Sequence, residues 1–181
     1  MWNKTLIIIF FCIALITSCS NNREKYIRNI IGSELIINID SMVKADNNEQ
    51  YLGEMNKKLR IVVYSDSSNC NACDIRFPLW KIKYKELNLL SNDIGLIFII
   101  NTNNISDMEL NANIVRVSSL RLYDTQSVFK KNNQINNHRE FHVFLIDQDN
   151  KVVLVGNPLD NHSLYTLYKR AIEEYTKDEK N

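Results

Sequence analysis

The chain has 181 residues, of which 45% are hydrophobic and 24% are charged, so it can bury one core with a modest extension. Its formal net charge is +1, and without Lys4 the 22 basic residues fall by one and equal the 21 acidic residues. This balance excludes a strongly basic protein, so we expect no nucleic-acid partner and no polybasic membrane patch. Gly-rich phosphate-binding motifs are also absent.

The N-terminus carries the pattern of a secretory signal. Lys4 supplies a positive charge, and the 14 residues from Thr5 to Ser18 are uncharged and mostly apolar. A helix of that length rises about 21 Å, which is too short for a hydrocarbon core of about 30 Å. Residues 1–18 are therefore predicted to be a signal peptide and not a transmembrane helix.

The end of this segment, Ile16-Thr17-Ser18-Cys19, resembles the lipobox of bacterial lipoproteins. The resemblance implies cleavage before Cys19, which then carries the lipid and anchors the protein to a membrane. The residue after Cys19 is Ser20 and not Asp, and in lipoproteins this implies sorting to the outer membrane. The resemblance therefore implies a periplasm-facing protein on the outer membrane, or one at the cell surface. An ordinary signal peptide and an uncleaved anchor are the alternatives.

Residues 19–57 are predicted to form the lipid-anchor tether and an N-terminal extension. Residues 20–25 are polar and suit a short tether. A short helix follows, stopped by Gly32, with its apolar residues on one face: Tyr26, Ile27, Ile30 and Ile31. Glu34–Asp40 has the alternation of a strand, and residues 46–50 are predicted to be a loop.

Residues 58–177 are predicted to form the main domain. Leu59–Ser65 is a compact apolar strand. A helix is predicted from Asn71 to Leu90, with a kink at Pro78, because proline removes one helical hydrogen bond. Ile94–Ile100 is a continuous apolar run, typical of a central strand that is buried on both faces.

The second half of the domain begins with a weak pattern. Residues 101–123 are rich in Asn, with a faint helical periodicity from Ser106 to Ile114. Asp124 is predicted to cap a helix over Thr125–Lys131. The pattern of residues 101–123 does not assign a strand.

A β-hairpin and a helix close the domain. Phe141–Ile146 and Lys151–Val155 are predicted strands joined by a turn at residues 147–150. An amphipathic helix follows with Asp160 or Asn161 near its start, and its apolar face is made of Leu164, Leu167, Tyr168, Ile172 and Tyr175. The order β-α-β-α-β-β-α predicts a sheet flanked by helices.

The cysteines point to the candidate site. With Cys12 in the signal peptide and Cys19 as the lipid anchor, Cys70 and Cys73 are the only thiols left in the mature domain. An extracytoplasmic compartment permits disulfides. A bridge between residues three apart closes too short a loop to stabilise a fold much. The C-x-x-C pair is therefore predicted to be reactive.

The two thiols are predicted to have different roles. Cys70 precedes the helix, whose unpaired N–H groups and positive dipole end favour a thiolate, so it is the expected nucleophile. Cys73, about one turn further on, is the expected resolving thiol. Asn71-Ala72 between them supplies no cation, so we expect only a modest lowering of the thiol pKa. Asp66 is the nearest acid, either a proton relay or a solvated turn residue.

This arrangement resembles the thioredoxin fold over about residues 58–176, an α/β fold with a central mixed sheet flanked by helices. Pro78 lies five residues after Cys73, where thioredoxins have a proline in the same helix. Residues 144–153 are similar to the hairpin of TlpA-like membrane-bound thioredoxins, and Asn157-Pro158 is similar to a largely uncharacterised group of thioredoxin-like lipoproteins. The resemblance implies a thiol–disulfide oxidoreductase that needs no cofactor, with protein thiols, disulfides or a redox donor as partners.

The chain also departs from the thioredoxin pattern. Phe141 stands where thioredoxins have a cis-proline, Asn69 replaces the aromatic residue before the first cysteine, and Tyr64 replaces a buried acid. Because the cis-proline borders the family's peptide-docking surface, its loss bears on substrate binding. We expect the neighbouring Arg139 and Glu140 to be solvated.

Two further functions remain open from the sequence. The first is a non-catalytic accessory or binding lipoprotein that retains the fold. The second is a metal-handling protein in which Cys70 and Cys73, with His138 or His142, bind Zn²⁺ or Cu⁺. One C-x-x-C motif alone does not distinguish these functions from thiol–disulfide exchange.

Overall fold

The computed structural model describes residues 22–45, 49–66 and 75–177. The helices are α1 (22–30), α2 (Phe77–Asn88), α3 (Ile105–Val115), α4 (Val128–Asn132) and α5 (His162–Lys177). The strands are β1 (Val43–Lys44), β2 (Leu59–Ser65), β3 (Ile94–Ile100), β4 (Leu120–Tyr123), β5 (Val143–Ile146) and β6 (Val152–Val155). Short 3₁₀ helices cover Ile39–Ser41, Glu49–Asn56 and Arg139–Phe141.

The six strands form one mixed sheet in the order β1-β4-β3-β2-β5-β6. The β4-β3-β2 pairings are parallel, whereas β1, β5 and β6 join their neighbours antiparallel. The predicted mixed α/β sheet is confirmed. Within the described ranges, no helix combines the length and apolar character needed to cross a bilayer.

The core lies on both faces of β2 and β3, in which every residue is buried. On one face α2, α3 and α5 contribute large side chains, among them Trp80, Tyr84, Met108, Tyr168 and Ile172. On the other face α1 and α4 contribute Ile30 and Phe129, and the loop after α1 adds Leu35. Apolar runs such as Ile94–Ile100 form inner strands because both of their faces are removed from water.

Several sequence predictions are confirmed. β2 and β3 have the predicted bounds, and β3 is an inner strand. The helix before Gly32 is present, and Gly32 has a φ of +77°, a left-handed conformation that glycine adopts without strain. Asp124 accepts hydrogen bonds from the amides of Val128 and Phe129 at 2.8 Å each and so satisfies the start of α4, but this helix begins at Val128 and not at Thr125.

The strand predicted over Glu34–Asp40 is wrong. Glu34 forms only an isolated bridge with Lys151, and Ile39–Ser41 is a 3₁₀ helix. The side chain of Asn133 accepts from the Ile36 amide at 2.7 Å and donates to the Ile36 carbonyl at 2.9 Å. A side chain thus takes the hydrogen bonds that a neighbouring strand would need, and pairing does not continue.

The kink predicted at Pro78 is also wrong in detail. α2 begins at Phe77, so Pro78 lies in its first turn, where the missing N–H costs nothing. The chain instead changes direction at Arg76, whose φ of 54° is left-handed. The helix ends at Asn88 and not at Leu90. Residues 71–74, where the helix was predicted to start, lie outside the described residues.

Strand β4 was missed because it has only four residues, one of which is charged. Arg121 is only 3% exposed, and its guanidinium donates to both carboxylate oxygens of Glu109, at 2.8 and 3.0 Å. Burial raises the pKa of Glu109, but hydrogen bonds from Arg121 and Tyr123 outweigh it and hold that pKa below its ordinary value. The strand predicted from Phe141 likewise begins later, at Val143, after a 3₁₀ turn.

The segment before β2 packs on the same sheet. β1 pairs with β4, and the Ser33 carbonyl accepts from the Val152 amide at 2.9 Å. The Glu54 carboxylate accepts from the Tyr84 hydroxyl at 2.7 Å and from the Leu96 amide at 2.9 Å. The N-terminal extension therefore supplies hydrogen bonds that the inner strand and α2 use.

The close approach of this extension to β3 predicts the effect of a methyl group at Gly95. A Cβ there would lie 2.3 Å from the Glu54 carbonyl oxygen, so Gly95→Ala should lower the free energy of unfolding by about 1–3 kcal/mol. Gly53→Ala is the matched control, because a Cβ at Gly53 meets nothing within 4 Å. Urea unfolding measures both variants, and equal midpoints would contradict the described packing.

Candidate functional site

A cavity of about 390 Å³ opens at the end of the sheet where β2 finishes and β5 begins. Its walls come from the end of β2, the start of α2, the turn before β5 and the loop after β6. The described residues that line it are Val63, Tyr64, Ser65, Asp66, Ile75, Arg76, Trp80, Arg139, Glu140, His142, Val143, Asn157 and Asp160.

The predicted cysteine pair belongs to the segment 67–74, which lies outside the described residues, as does Cys19. The two flanks of the segment are described. Ser65 and Asp66 precede it, Ile75 and Arg76 follow it, and all four line the cavity. The described residues on either side of the C-x-x-C motif therefore lie at this cavity, while the roles of Cys70 and Cys73 stay predictions.

Asp66, the nearest acid to the pair, is held by an ion pair. Its carboxylate lies 2.5 Å from the Lys130 ammonium, and the two side chains are 18% and 27% exposed. The alternative of a solvated turn residue is therefore wrong. Its role as a proton relay stays a prediction.

Tyr64 and His142 form the buried floor of the cavity. Their rings meet edge to face at 5.2 Å, and the Tyr64 amide donates to the His142 carbonyl at 2.8 Å. Burial raises the pKa of the Tyr64 hydroxyl, so it remains a neutral phenol. Tyr64 therefore provides no carboxylate at the position where thioredoxins have a buried acidic residue.

His142 is 5% exposed and its Nε2 lies 2.8 Å from the carbonyl oxygen of Asn136. A carbonyl only accepts, so Nε2 carries the proton in that bond. Burial lowers the pKa of His142, against the opposing effects of the Asn136 hydrogen bond and the Asp66 charge. The ring is therefore neutral near pH 7, with Nε2 already engaged.

The second histidine considered as a metal ligand is in a different setting. His138 is exposed, and its Nδ1 lies 3.8 Å from the Glu140 carboxylate. Within 22–45, 49–66 and 75–177, no three His, Cys, Asp or Glu side chains are grouped as metal ligands would be. His138 and His142 are thus held by separate partners in the described part of the chain.

The position expected for the cis-proline is filled by Phe141, which is 8% exposed. Its ring packs 5.4 Å from that of Tyr26 in α1, so the N-terminal extension reaches this corner of the site. Arg139 and Glu140 are exposed as expected, but both also line the cavity. Glu140 additionally lies 3.5 Å from the Arg23 guanidinium.

Arg76 and Asp160 close one side of the cavity. Two guanidinium nitrogens donate to the two carboxylate oxygens at 2.6 and 2.7 Å, a bidentate geometry that favours a fixed orientation. The hydrogen bond from Arg76 lowers the pKa of Asp160. The pair ties the start of α2, three residues after Cys73, to the loop before α5.

Sequence reasoning did not assign Arg76, Asp160 or Lys130 to the site. The first pair joins residues 84 apart in sequence, and the second ion pair joins residues 64 apart. Asp160 carried a local signal as a helix-start residue, but nothing in the pattern named its partner. Trp80, which also borders the cavity, packs in the core, where it is 1% exposed and its ring lies 6.3 Å from that of Phe98.

Comparison with solved structures identifies the architecture. The thioredoxin domain of a thiol-disulfide oxidoreductase from Bacteroides vulgatus matches with a TM-score of 0.56 at 14% identity, over 78% of this chain and 97% of that one. This chain adopts a thioredoxin fold. No family model matches the sequence, and no curated protein matches it.

Two other structures give the same result. The thiol:disulfide interchange protein DsbE from Chlorobium tepidum matches with a TM-score of 0.56 at 15% identity, over 78% of this chain and 97% of that one. A protein disulfide isomerase from Bacteroides thetaiotaomicron matches with a TM-score of 0.56 at 18% identity, over 81% and 90%. At these identities the likeness establishes the thioredoxin fold, and the predicted fold is confirmed.

The bidentate pair predicts a measurable change in the titration of Asp160. Arg76→Gln should raise the Asp160 pKa toward the ordinary aspartate value of about 3.9, because the guanidinium that stabilises the carboxylate is gone. Because the pKa of Asp160 is lower in the folded protein than in the unfolded chain, its carboxylate stabilises the fold at pH values above the unfolded-state pKa. This contribution is lost as the pH falls through the folded-state pKa. Carboxyl-detected NMR titration measures the shift.

Lys83→Gln is the control for this titration. Lys83 also forms an exposed ion pair, but with Glu86, so its loss removes a similar charge without touching Asp160. An Asp160 pKa that stays unchanged in Arg76→Gln would show that the pair is not formed in solution.

Proposed function

We propose that this protein is an extracytoplasmic, lipid-anchored thiol–disulfide oxidoreductase that works through Cys70 and Cys73. One observation carries the proposal: both flanks of the C-x-x-C segment line the same cavity, at the end of the sheet where β2 leads into α2. A thioredoxin fold with two thiols in that connection is suited to exchange disulfides with other proteins.

The chemistry follows from the order of the two thiols. The Cys70 thiolate attacks one sulfur of a partner disulfide, forms a mixed disulfide and releases the other partner sulfur as a thiolate, which takes up a proton. The Cys73 thiolate then attacks the Cys70 sulfur and releases the partner's second thiolate. The pair is oxidised by two electrons and the partner disulfide is reduced, and the reverse sequence oxidises a partner dithiol.

The described side chains supply a nearly neutral setting for this exchange. The cations Lys130 and Arg76 are each matched by a carboxylate, from Asp66 and Asp160, the lining also holds Arg139 and Glu140, and His142 is neutral. Among the described residues that line the cavity, none is a histidinium that would stabilise a thiolate strongly. This supports a modestly lowered Cys70 pKa and a pair that is less oxidising than those with a strongly stabilised thiolate.

The location of the reaction rests on the N-terminal sequence. In this proposal residues 1–18 are a signal peptide, Cys19 carries the lipid, residues 19–57 form the tether and extension, and residues 58–177 form the thioredoxin-like domain. Its partners are protein thiols, protein disulfides or a redox donor that face the periplasm from the outer membrane. The domain needs no cofactor for this reaction.

Cysteine variants test the proposed roles. Cys70→Ala should abolish disulfide exchange, because the attacking thiolate is missing. Cys73→Ala should instead accumulate a mixed disulfide on Cys70, because nothing resolves it. Non-reducing electrophoresis and mass spectrometry with a model disulfide peptide distinguish the two results. Unchanged exchange in Cys70→Ala would refute the proposal.

The reduction potential of the pair is the accompanying measurement. Alkylation across a graded thiol buffer, followed by mass spectrometry, gives the fraction of Cys70–Cys73 disulfide at each potential. We expect a value above about −300 mV, the upper range of inert structural disulfides, with Cys70 labelled first. A lower value, or thiols that never pair, would indicate an inert bridge or a non-redox role.

A further inference from the structure

The two ends of the sheet differ in what they carry. Val63 pairs with Val143 at the end where the cavity opens, and Arg60 pairs with Ile146 toward the opposite end. The turn that joins β5 to β6, residues 147–151, lies beyond that opposite end. We call the end of the sheet at Val63 and Val143 the site end, and the end near Arg60 and Ile146 the turn end. The seven residues of β2 separate them by about 20 Å.

Helix α1 runs from the site end to the turn end. Near its start, Arg23 lies 3.5 Å from Glu140 and the Tyr26 ring lies 5.4 Å from that of Phe141, both at the site end. Just after its last residue, the Gly32 amide donates to the Val152 carbonyl at 2.8 Å, at the turn end. The first residue of α1 is therefore beside the cavity.

The covalent chain limits how far the proposed anchor can lie from this point. Cys19 is three residues before Asn22, the first residue of α1. Three residues reach at most about 11 Å even when fully extended. A lipid on Cys19 would thus hold the site end, and not the turn end, next to the bilayer.

We propose that the lipid anchor orients the cavity toward the membrane surface, so that the partners are proteins whose thiols or disulfides lie at that surface. This inference rests on the proposed function and on lipid attachment at Cys19. With so short a connection the domain cannot turn its site end away from the bilayer without detaching α1, whose Ile30 is 7% exposed in the core. Proteins that expose a disulfide only far from the bilayer are poor partners in this geometry.

Two labelled variants of the lipidated full chain test the orientation. Asn137 and Gln148 are both exposed; the first adjoins Asn136, which bonds to His142 at the site end, and the second lies in the 147–151 turn. Each is replaced by Cys in a background with Cys70→Ser and Cys73→Ser, so that a fluorescent label attaches at one position. The proteins are reconstituted in vesicles that carry a quencher on the lipid headgroups.

We expect the label at position 137 to be quenched several-fold more strongly than the label at position 148. A Gly/Ser linker of about twenty residues, inserted between Asn21 and Asn22, is the control, because its coil spans about 25 Å and should abolish the difference. Equal quenching without the linker, stronger quenching at position 148, or a protein that does not float with vesicles would overturn the proposal.

The readout is independent of redox activity. A quenching difference in a protein whose Cys70 and Cys73 prove inert would retain the orientation and refute only the oxidoreductase. Active exchange together with equal quenching would retain the oxidoreductase and refute the orientation.

Discussion

The parallel pairing of β2 with β3 is the constraint on which the rest of the molecule depends. Both strands are buried on both faces, so helices must cover each side of the sheet. Right-handed crossover from β2 to β3 places α2 on one of those faces. The end of β2 and the start of α2 then lie at the same end of the sheet, and the C-x-x-C motif falls between these two elements in the sequence.

Charges around that connection are matched in pairs that link distant parts of the chain. Lys130 of α4 holds Asp66 at the end of β2, and Asp160 before α5 holds Arg76 at the start of α2. Arg76 adopts a left-handed conformation, and its guanidinium forms the bidentate bond to Asp160. The two flanks of the C-x-x-C segment are thereby fixed from opposite sides.

The sequence predicted those helices and strands that are determined by a short stretch of neighbouring residues. Predominantly apolar runs identified β2 and β3, although β2 includes Arg60, and Asp124 indicated a helix that begins at Val128. Long-range pairing decided the rest. β4 was missed because it is short and Arg121 looks exposed in sequence, whereas in the fold Glu109 on α3 pairs with the buried Arg121. The site followed the same rule: the thiols were visible as a motif, whereas Arg76 and Asp160 become neighbours only after folding.

The carboxylate of Glu54 gives the segment before β2 a part in the stability of the inner sheet. It is the acceptor for the Leu96 amide in β3 and for the Tyr84 hydroxyl of α2. A fragment that began at residue 58 would leave a buried N–H of an inner strand without this acceptor. The exchange rate of the Leu96 amide proton therefore reports how firmly the segment before β2 is attached. Detachment of that segment would remove a hydrogen bond from the centre of the sheet.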